Sequence, residues 1–400
     1  MRRTLTALAA LPLAALAFVY CNNDTTTGTN PDLSTSGEDL TSGNTNDLSD
    51  PPADLTTSPD MTVPAVATEF AVLRIGAGTA ALTNDATPGF LERRKIADGS
   101  LVGNALALPT AANGASKQLT FSGLATVEGN LSRSGNGKYL LVAGYAANPG
   151  VANISTSNAM TNNRVIATID AASTVNTTTA FNGFSGTAVR GATSTDGTML
   201  WASSDNGVAY TTLGSTAAPT VLNVSNFRAL GLFGQNNAAQ LFASGASAPT
   251  HGLNAIGTGT PMVAGTTSTT LTGFNPTNSP SSYGFFGFDR DGNGSVDQFY
   301  VADDRTAGGG GLQRWKLNGA SWTLEGTITT GNMSGARGVT GFVSNTTVTL
   351  LVTTAEMNNV APRVVKMTDN GGATSAVTSQ LLVTAMANTT YRGIALAPIP

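Results

Sequence analysis

The chain has 400 residues, 24 acidic and 20 basic side chains, a net charge of −4 and only 11% charged residues, against about 25% in an ordinary soluble domain. With 40% hydrophobic residues, 46 glycines and 17 prolines, this composition excludes a multispanning membrane protein, a coiled coil and a basic nucleic-acid binder, and leaves room for one large all-β domain. The charge is unevenly placed: residues 21–64 carry eight acids and no base, while residues 65–400 carry 16 acids and 18 bases, so an acidic segment precedes a slightly basic body.

Residues 1–20 read as a secretion signal, with Arg2 and Arg3 ahead of an apolar run from Leu5 to Tyr20 that is short for a membrane span. The chain's one cysteine, Cys21, stands at the end of that run. The arrangement resembles a bacterial lipoprotein signal, which implies lipidation of Cys21 and, with Asn22 after it, an outer-membrane anchor facing the periplasm or the cell surface. Tyr20 and Phe18 depart from the small residue and the leucine that such signals prefer. Residues 21–66 lack aromatics and repeat Asp-Leu-(Ser/Thr) at Asp32, Asp39, Asp47 and Asp54. Such a segment buries too little apolar surface to offset its ordering entropy, and its like charges extend it. It is expected to be a disordered tether.

The body, residues 67–400, alternates short β-branched and aromatic runs with turn dipeptides: Asn136-Gly137, Asp196-Gly197, Asn206-Gly207 and Asn318-Gly319. After the signal no stretch sustains a helical period. Six segments share a polar residue, usually followed by Gly, then a strand, a turn and a second strand. They begin at Glu128, Arg190, Arg228, Tyr283, Arg337 and Arg392. A repeat near 55 residues with about four strands fits a β-propeller. The last segment has one strand before Pro400, and 69–75 and 90–96 lack a repeat start of their own. The final strand is therefore expected to complete a blade begun by residues 69–105, closing six blades. The shorter interval from Arg190 to Arg228 reads one strand short and keeps seven blades open. The body resembles bacterial secreted and lipoprotein propellers, a likeness of architecture that implies no activity.

Asp289-Arg290-Asp291-Gly292-Asn293-Gly294-Ser295-Val296-Asp297 places oxygen-bearing side chains at alternating positions, with the Ser295 carbonyl also available, as Ca²⁺ requires. Tyr300 occupies the position where an EF-hand has Glu. The nine residues resemble instead the calcium loops of integrin-type (FG-GAP) propeller blades. That likeness implies structural Ca²⁺ held by Asp289, Asp291, Asn293, Ser295 and Asp297; the competing reading is an acidic hairpin turn closed by its own Asx bonds.

In a propeller the six repeat-start side chains should converge at one mouth of the central channel. Four arginines there would bind a carboxylate, sulfate or phosphate, with Glu128 fixing one of them. The competing reading is that each arginine ties its blade to the next. Catalytic signatures are few. His251, the single histidine, lies in a turn-like Pro-Thr-His-Gly setting, and Gly308–Gly311 lacks the lysine of a phosphate loop. Asp303 and Asp304 point to opposite faces of a strand and read as ion-pair or turn residues beside Arg305, and Trp201, Trp315 and Trp322 read as packing residues. The expectation is a membrane-tethered binding module for a small anion, glycan or protein; the alternative is a calcium-dependent hydrolase or lactonase on the same scaffold.

Overall fold

The computed structural model describes residues 67–234, 239–274, 280–306, 309–329, 333–356 and 361–400. The signal, Cys21, the tether and Gly308 lie outside the described residues. All the named strands pair antiparallel, and the described residues contain no α-helix.

In chain order the strands are β1 (Glu69–Ile75), β2 (Ala86–Lys95), β3 (Leu106–Ala107), β4 (Thr120–Ser122), β5 (Leu131–Arg133), β6 (Tyr139–Tyr145), β7 (Arg164–Asp170) and β8 (Val175–Phe181). Then follow β9 (Val189–Ser194), β10 (Met199–Ser204), β11 (Gly207–Thr212), β12 (Thr220–Asn223), β13 (Leu230–Phe233), β14 (Gln240–Gly245), β15 (Gly252–Ile256) and β16 (Ser268–Thr270). The last are β17 (Ser282–Phe288), β18 (Gln298–Asp303), β19 (Gly311–Asn318), β20 (Ser321–Ile328), β21 (Ala336–Ser344), β22 (Thr347–Thr354), β23 (Arg363–Asp369), β24 (Thr378–Thr384) and β25 (Thr390–Leu396).

Blades II–V are separate sheets of four consecutive strands, II β9–β12, III β13–β16, IV β17–β20 and V β21–β24, while blade I, β5–β8, is part of a nine-stranded sheet that runs on through β4. Blade VI is assembled from both ends of the body. β25 pairs with β1, from Phe70 opposite Leu396 to Ile75 opposite Thr390, and β1 pairs in turn with β2 and β2 with β3. The innermost strands β5, β9, β13, β17, β21 and β25 each contact the next, and β25 returns to β5. Six blades thus close a ring, and the terminal pairing removes the free edge an open array would leave. Blade II corrects the expectation of a missing strand: it fits four strands into Val189–Asn223 because tight turns join them, at Asp196-Gly197 and Asn206-Gly207 among others. The count of seven falls with it. β4 bonds to both β2 and β6 and so laces blade VI to blade I.

The core lies between blades rather than at the axis. Trp201 packs with Val208, Leu222 and Phe227; Trp315 and Trp322 pack with Phe299 and Phe274, and Phe274 stacks on Trp315 at 3.9 Å between ring centroids. The three tryptophans are packing residues, as their strand positions imply.

The recurrent glycine has a steric cause. A methyl group on Gly284 would lie 2.9 Å from the Arg337 carbonyl oxygen, and one on Gly393 2.1 Å from the Leu131 nitrogen, each in the next blade. Successive inner strands touch backbone to backbone at these positions, which only a residue without Cβ allows.

Candidate functional site

The six repeat-start residues gather at one end of the ring, where the inner strands begin. Tyr283 is at the centre of the cluster. Its ring faces the Arg228 guanidinium at 4.1 Å and the Arg337 guanidinium at 5.9 Å, cation–π contacts with the blades on either side. Its hydroxyl lies 3.3 Å from that of Thr126. Thr126 belongs to the segment entering blade I, which stands opposite blade IV, and Val127 packs against the cluster of Tyr283 and Val339. The axis is therefore crossed at this end by Tyr283 and residues 126–127.

The arginines also reach sideways. Arg190 donates from Nη1 to Asn226 Oδ1 (2.7 Å) and to the Phe227 carbonyl (2.9 Å), with Asp205 at 3.6 Å. Arg228 donates to Ser281 Oγ (3.0 Å) and the Ser282 carbonyl (3.3 Å). Arg392 donates from Nη2 to the carbonyls of Ser122 (2.6 Å) and Gly123 (2.9 Å). Arg337 lies 4.0 Å from Asp304. Arg190, Arg228 and Arg392 thus bind the blade that follows, as the blade-tie reading expects.

Those ties leave hydrogens over. Arg190 Nε, Arg337 Nε and Arg392 Nη1 are buried and have no hydrogen-bond partner. Arg392, 4% exposed, sits 3.9 Å from Glu128 Oε2, close enough for charge attraction and too far for a hydrogen bond. Burial pushes the Arg392 guanidinium down to about 10; Glu128 opposes the shift and the neighbouring Arg337 charge adds to it.

Glu128 is 1% exposed. Tyr145 donates its hydroxyl to Oε1 at 2.6 Å, and the Ser122 N–H donates to Oε2 at 2.9 Å. Burial pushes the carboxyl up to about 7, the largest effect, against the pull of Arg392 and these two hydrogen bonds. Nearby Arg164 donates to the carbonyls of Asn162, Ser157, Phe184 and Thr187 and lies over the Tyr145 ring at 4.9 Å.

The acidic loop joins β17 to β18. Carboxylate oxygens of Asp289, Asp291 and Asp297 all lie within 4.8 Å of one another. Asp289 accepts the N–H groups of Gly292, Asn293 and Gly294, Asp297 accepts that of Arg290, and Asn293 that of Ser295. The slight burial of Asp289 raises its pKa, but the Gly294 and Gly292 N–H groups outweigh this and hold the carboxyl below its ordinary value. Three convergent carboxylates on a loop wound around Asp289 suit a hard cation, and the same Asx bonds also fit the turn reading. Among the other candidates, Asp303 is fully buried and pairs with Arg305, while Asp304 faces Arg337, so both are ion-pair residues. His251 is half-buried in its loop, with no hydrogen-bond partner at Nδ1.

Several residues of this end carry no sequence signal: Thr126, Tyr145, Arg164 and Asp205 fall outside the repeat position, and only three-dimensional packing brings them to it. The same holds for the ties lower in the blades. Arg314 donates from Nη1 to both oxygens of Asp369 at 3.0 and 2.8 Å, where Tyr300 also donates. Glu92 takes both Arg74 and Arg94, together with the Tyr391 hydroxyl.

The fold and the ring define an all-β, six-bladed propeller whose inner strands start at an arginine-rich end. No protein-family model and no curated protein matches the chain. Among solved structures it is similar to TolB from Acinetobacter baumannii, at 11% identity and a TM-score of 0.47 over 83% of this chain and 67% of that one. It is also similar to the periplasmic gluconolactonase PpgL from Pseudomonas aeruginosa, at 11% identity and a TM-score of 0.41 over 82% of this chain and 99% of that one. Likeness at this level assigns no activity to this chain.

Proposed function

We propose that the protein is an exported, lipid-anchored propeller that binds a small anion at its arginine-rich end. The observation that carries this is the set of unsatisfied guanidinium hydrogens: Arg337 Nε and Arg392 Nη1, on adjacent blades, are buried without an acceptor. An unsatisfied buried donor costs about 1–3 kcal/mol, more on a charged group, and a carboxylate, sulfate or phosphate oxygen between the two blades would satisfy both donors. A glycan or protein partner would present its acidic group to the same donors. The acidic loop is proposed to hold structural Ca²⁺ through Asp289, Asp291, Asn293, Asp297 and the Ser295 carbonyl. The N-terminal pattern of Arg2, Arg3 and Cys21 supports an outer-membrane anchor. Cys21→Ser should release the protein from membranes, and continued membrane association would reject lipidation as its sole attachment.

One observation favours hydrolysis, namely a carboxyl near pH 7 beside an arginine. Yet both oxygens of Glu128 are held by Tyr145 and Ser122, and Glu128 is sealed from solvent. Binding is therefore the better-supported reading. The test is calorimetric titration with sodium sulfate. Wild type should bind saturably, and Arg337→Ala should weaken binding at least tenfold with little change in melting temperature. Unchanged binding with a lower melting temperature would reduce the ring to a blade tie.

A further inference from the structure

The channel between the inner strands holds a second feature that the arginine end does not use. All six inner strands line a cavity of about 210 Å³ along the axis. Toward Tyr283 it narrows: Arg190, Tyr283, Glu128 and Arg392 are buried, Arg228 and Arg337 are half-buried, and Tyr283 meets the exposed Thr126 across the axis. Exposure rises toward the other end, where Arg133, Phe233, Phe286 and Thr340 are half-buried and Gly135 is exposed. The cavity is therefore open to solvent at the end remote from the ring.

Two polar groups stand in that cavity without a counterpart. Arg133, the last residue of β5, donates only Nη1, to the Ala397 carbonyl at 3.3 Å, and among the described residues no carboxylate pairs with it. Burial alone, with no acid opposing it, lowers its pKa. Thr193, on β9 and 1% exposed, leaves its hydroxyl without a hydrogen-bond partner. The remaining wall is mixed, with Ser132, Ser134 and Thr340 beside Leu230, Phe233, Phe286 and Ile394.

We infer that this channel is a separate binding site for a small organic carboxylate with an apolar, ring-sized body. Its carboxylate would meet Arg133 near the open end, its body would fill the space between Leu230, Phe286 and Ile394, and an acceptor on it would take the Thr193 hydroxyl. The dimensions agree: an apolar cavity of about 150 Å³ accommodates benzene, so 210 Å³ takes a substituted ring. The chemistry agrees as well. A half-buried guanidinium with four free N–H groups selects a planar, bidentate acceptor, and the half-buried Phe233 and Phe286 offer an organic body apolar contacts that a bare inorganic anion cannot use.

The test uses sodium benzoate as probe and toluene as its uncharged counterpart, with methyl-labelled protein observed by NMR. Benzoate should shift the methyl signals of Leu230, Ile394 and Leu396 saturably, and toluene should bind at least tenfold more weakly. Arg133→Gln should lose roughly tenfold or more in benzoate affinity, the share of one charge-assisted hydrogen bond. Sodium sulfate should not compete. Absence of saturable methyl shifts in wild type would overturn the inference, and so would equal binding of toluene. Competition by sulfate would place benzoate at the arginine end instead and overturn it too. If Arg133→Gln does not fold, the wild-type methyl shifts and the toluene and sulfate comparisons decide alone.

Discussion

Glu128 makes the protein's stability depend on pH in an unusual direction. Its carboxyl titrates near 7 in the folded chain, against an ordinary value of 4.5. Between those two values the folded state holds a proton that the unfolded chain has released, so stability is fully present below about pH 4.5 and is lost as pH rises through 7. Two and a half pH units at about 1.4 kcal/mol each give a full loss of about 3.5 kcal/mol. The opposite trend occupies a different window. Burial raises the pKa of Glu92, but its bonds to Arg74 and Arg94 outweigh this and hold it below its ordinary value, so what it contributes is lost only as pH falls below about 4.5. Urea unfolding at constant ionic strength from pH 5 to 8 separates the two effects. Wild type should lose about 2.5 kcal/mol across that range, and Glu128→Gln should be flat whatever its absolute stability. His251→Gln serves as a control and should keep the slope. A wild type of constant stability from pH 5 to 8, or a slope that survives in Glu128→Gln, would refute the reasoning.

Asp369→Ala strands the buried Arg314 and the Tyr300 hydroxyl, and should cost about 3–5 kcal/mol by urea unfolding. Glu325→Gln, at the partly exposed branch of the same network (29% side-chain exposure), should cost no more than about 1 kcal/mol. Gly393→Ala drives a methyl into the backbone of blade I and should destabilise by about 1–3 kcal/mol or more. Gly372→Ala, which meets nothing within 4 Å, should stay within about 0.5 kcal/mol; equal effects would refute the backbone-contact explanation of the repeat glycines. Calcium in hundredfold excess over its dissociation constant should stabilise the body by about 2.7 kcal/mol, and Asp291→Ala should abolish the response. A melting temperature indifferent to chelator would reject the metal site.

Much of the fold was legible because the propeller repeats its sterics. A glycine follows Glu128, Arg190, Tyr283, Arg337 and Arg392, where inner strands touch, with Ala229 after Arg228 the exception, and a short strand just before Pro400 needed partners that only residues 69–105 offered. The blade count was harder to read: the interval from Arg190 to Arg228 is short because the turns of blade II are tight, and length alone does not distinguish tight turns from a missing strand. At the arginine end, the repeat position found the residues that converge but not what they bind. Whether a guanidinium faces a neighbouring carbonyl or an empty space depends on side-chain direction, which no spacing encodes. Thr126, Tyr145 and Arg133 went unseen for a related reason: each sits one or more positions off the repeat, in segments whose local pattern is ordinary strand or turn.

The central claim is that the arginine end holds an anion rather than only joining blades. The most direct measurement is a crystal structure of the body grown in sodium selenate, with anomalous data collected at the selenium edge. The account predicts a selenium peak between blades V and VI, within hydrogen-bond distance of Arg337 Nε and Arg392 Nη1. An absence of anomalous density there, with both guanidinium groups instead satisfied by protein carbonyls or carboxylates, would contradict it.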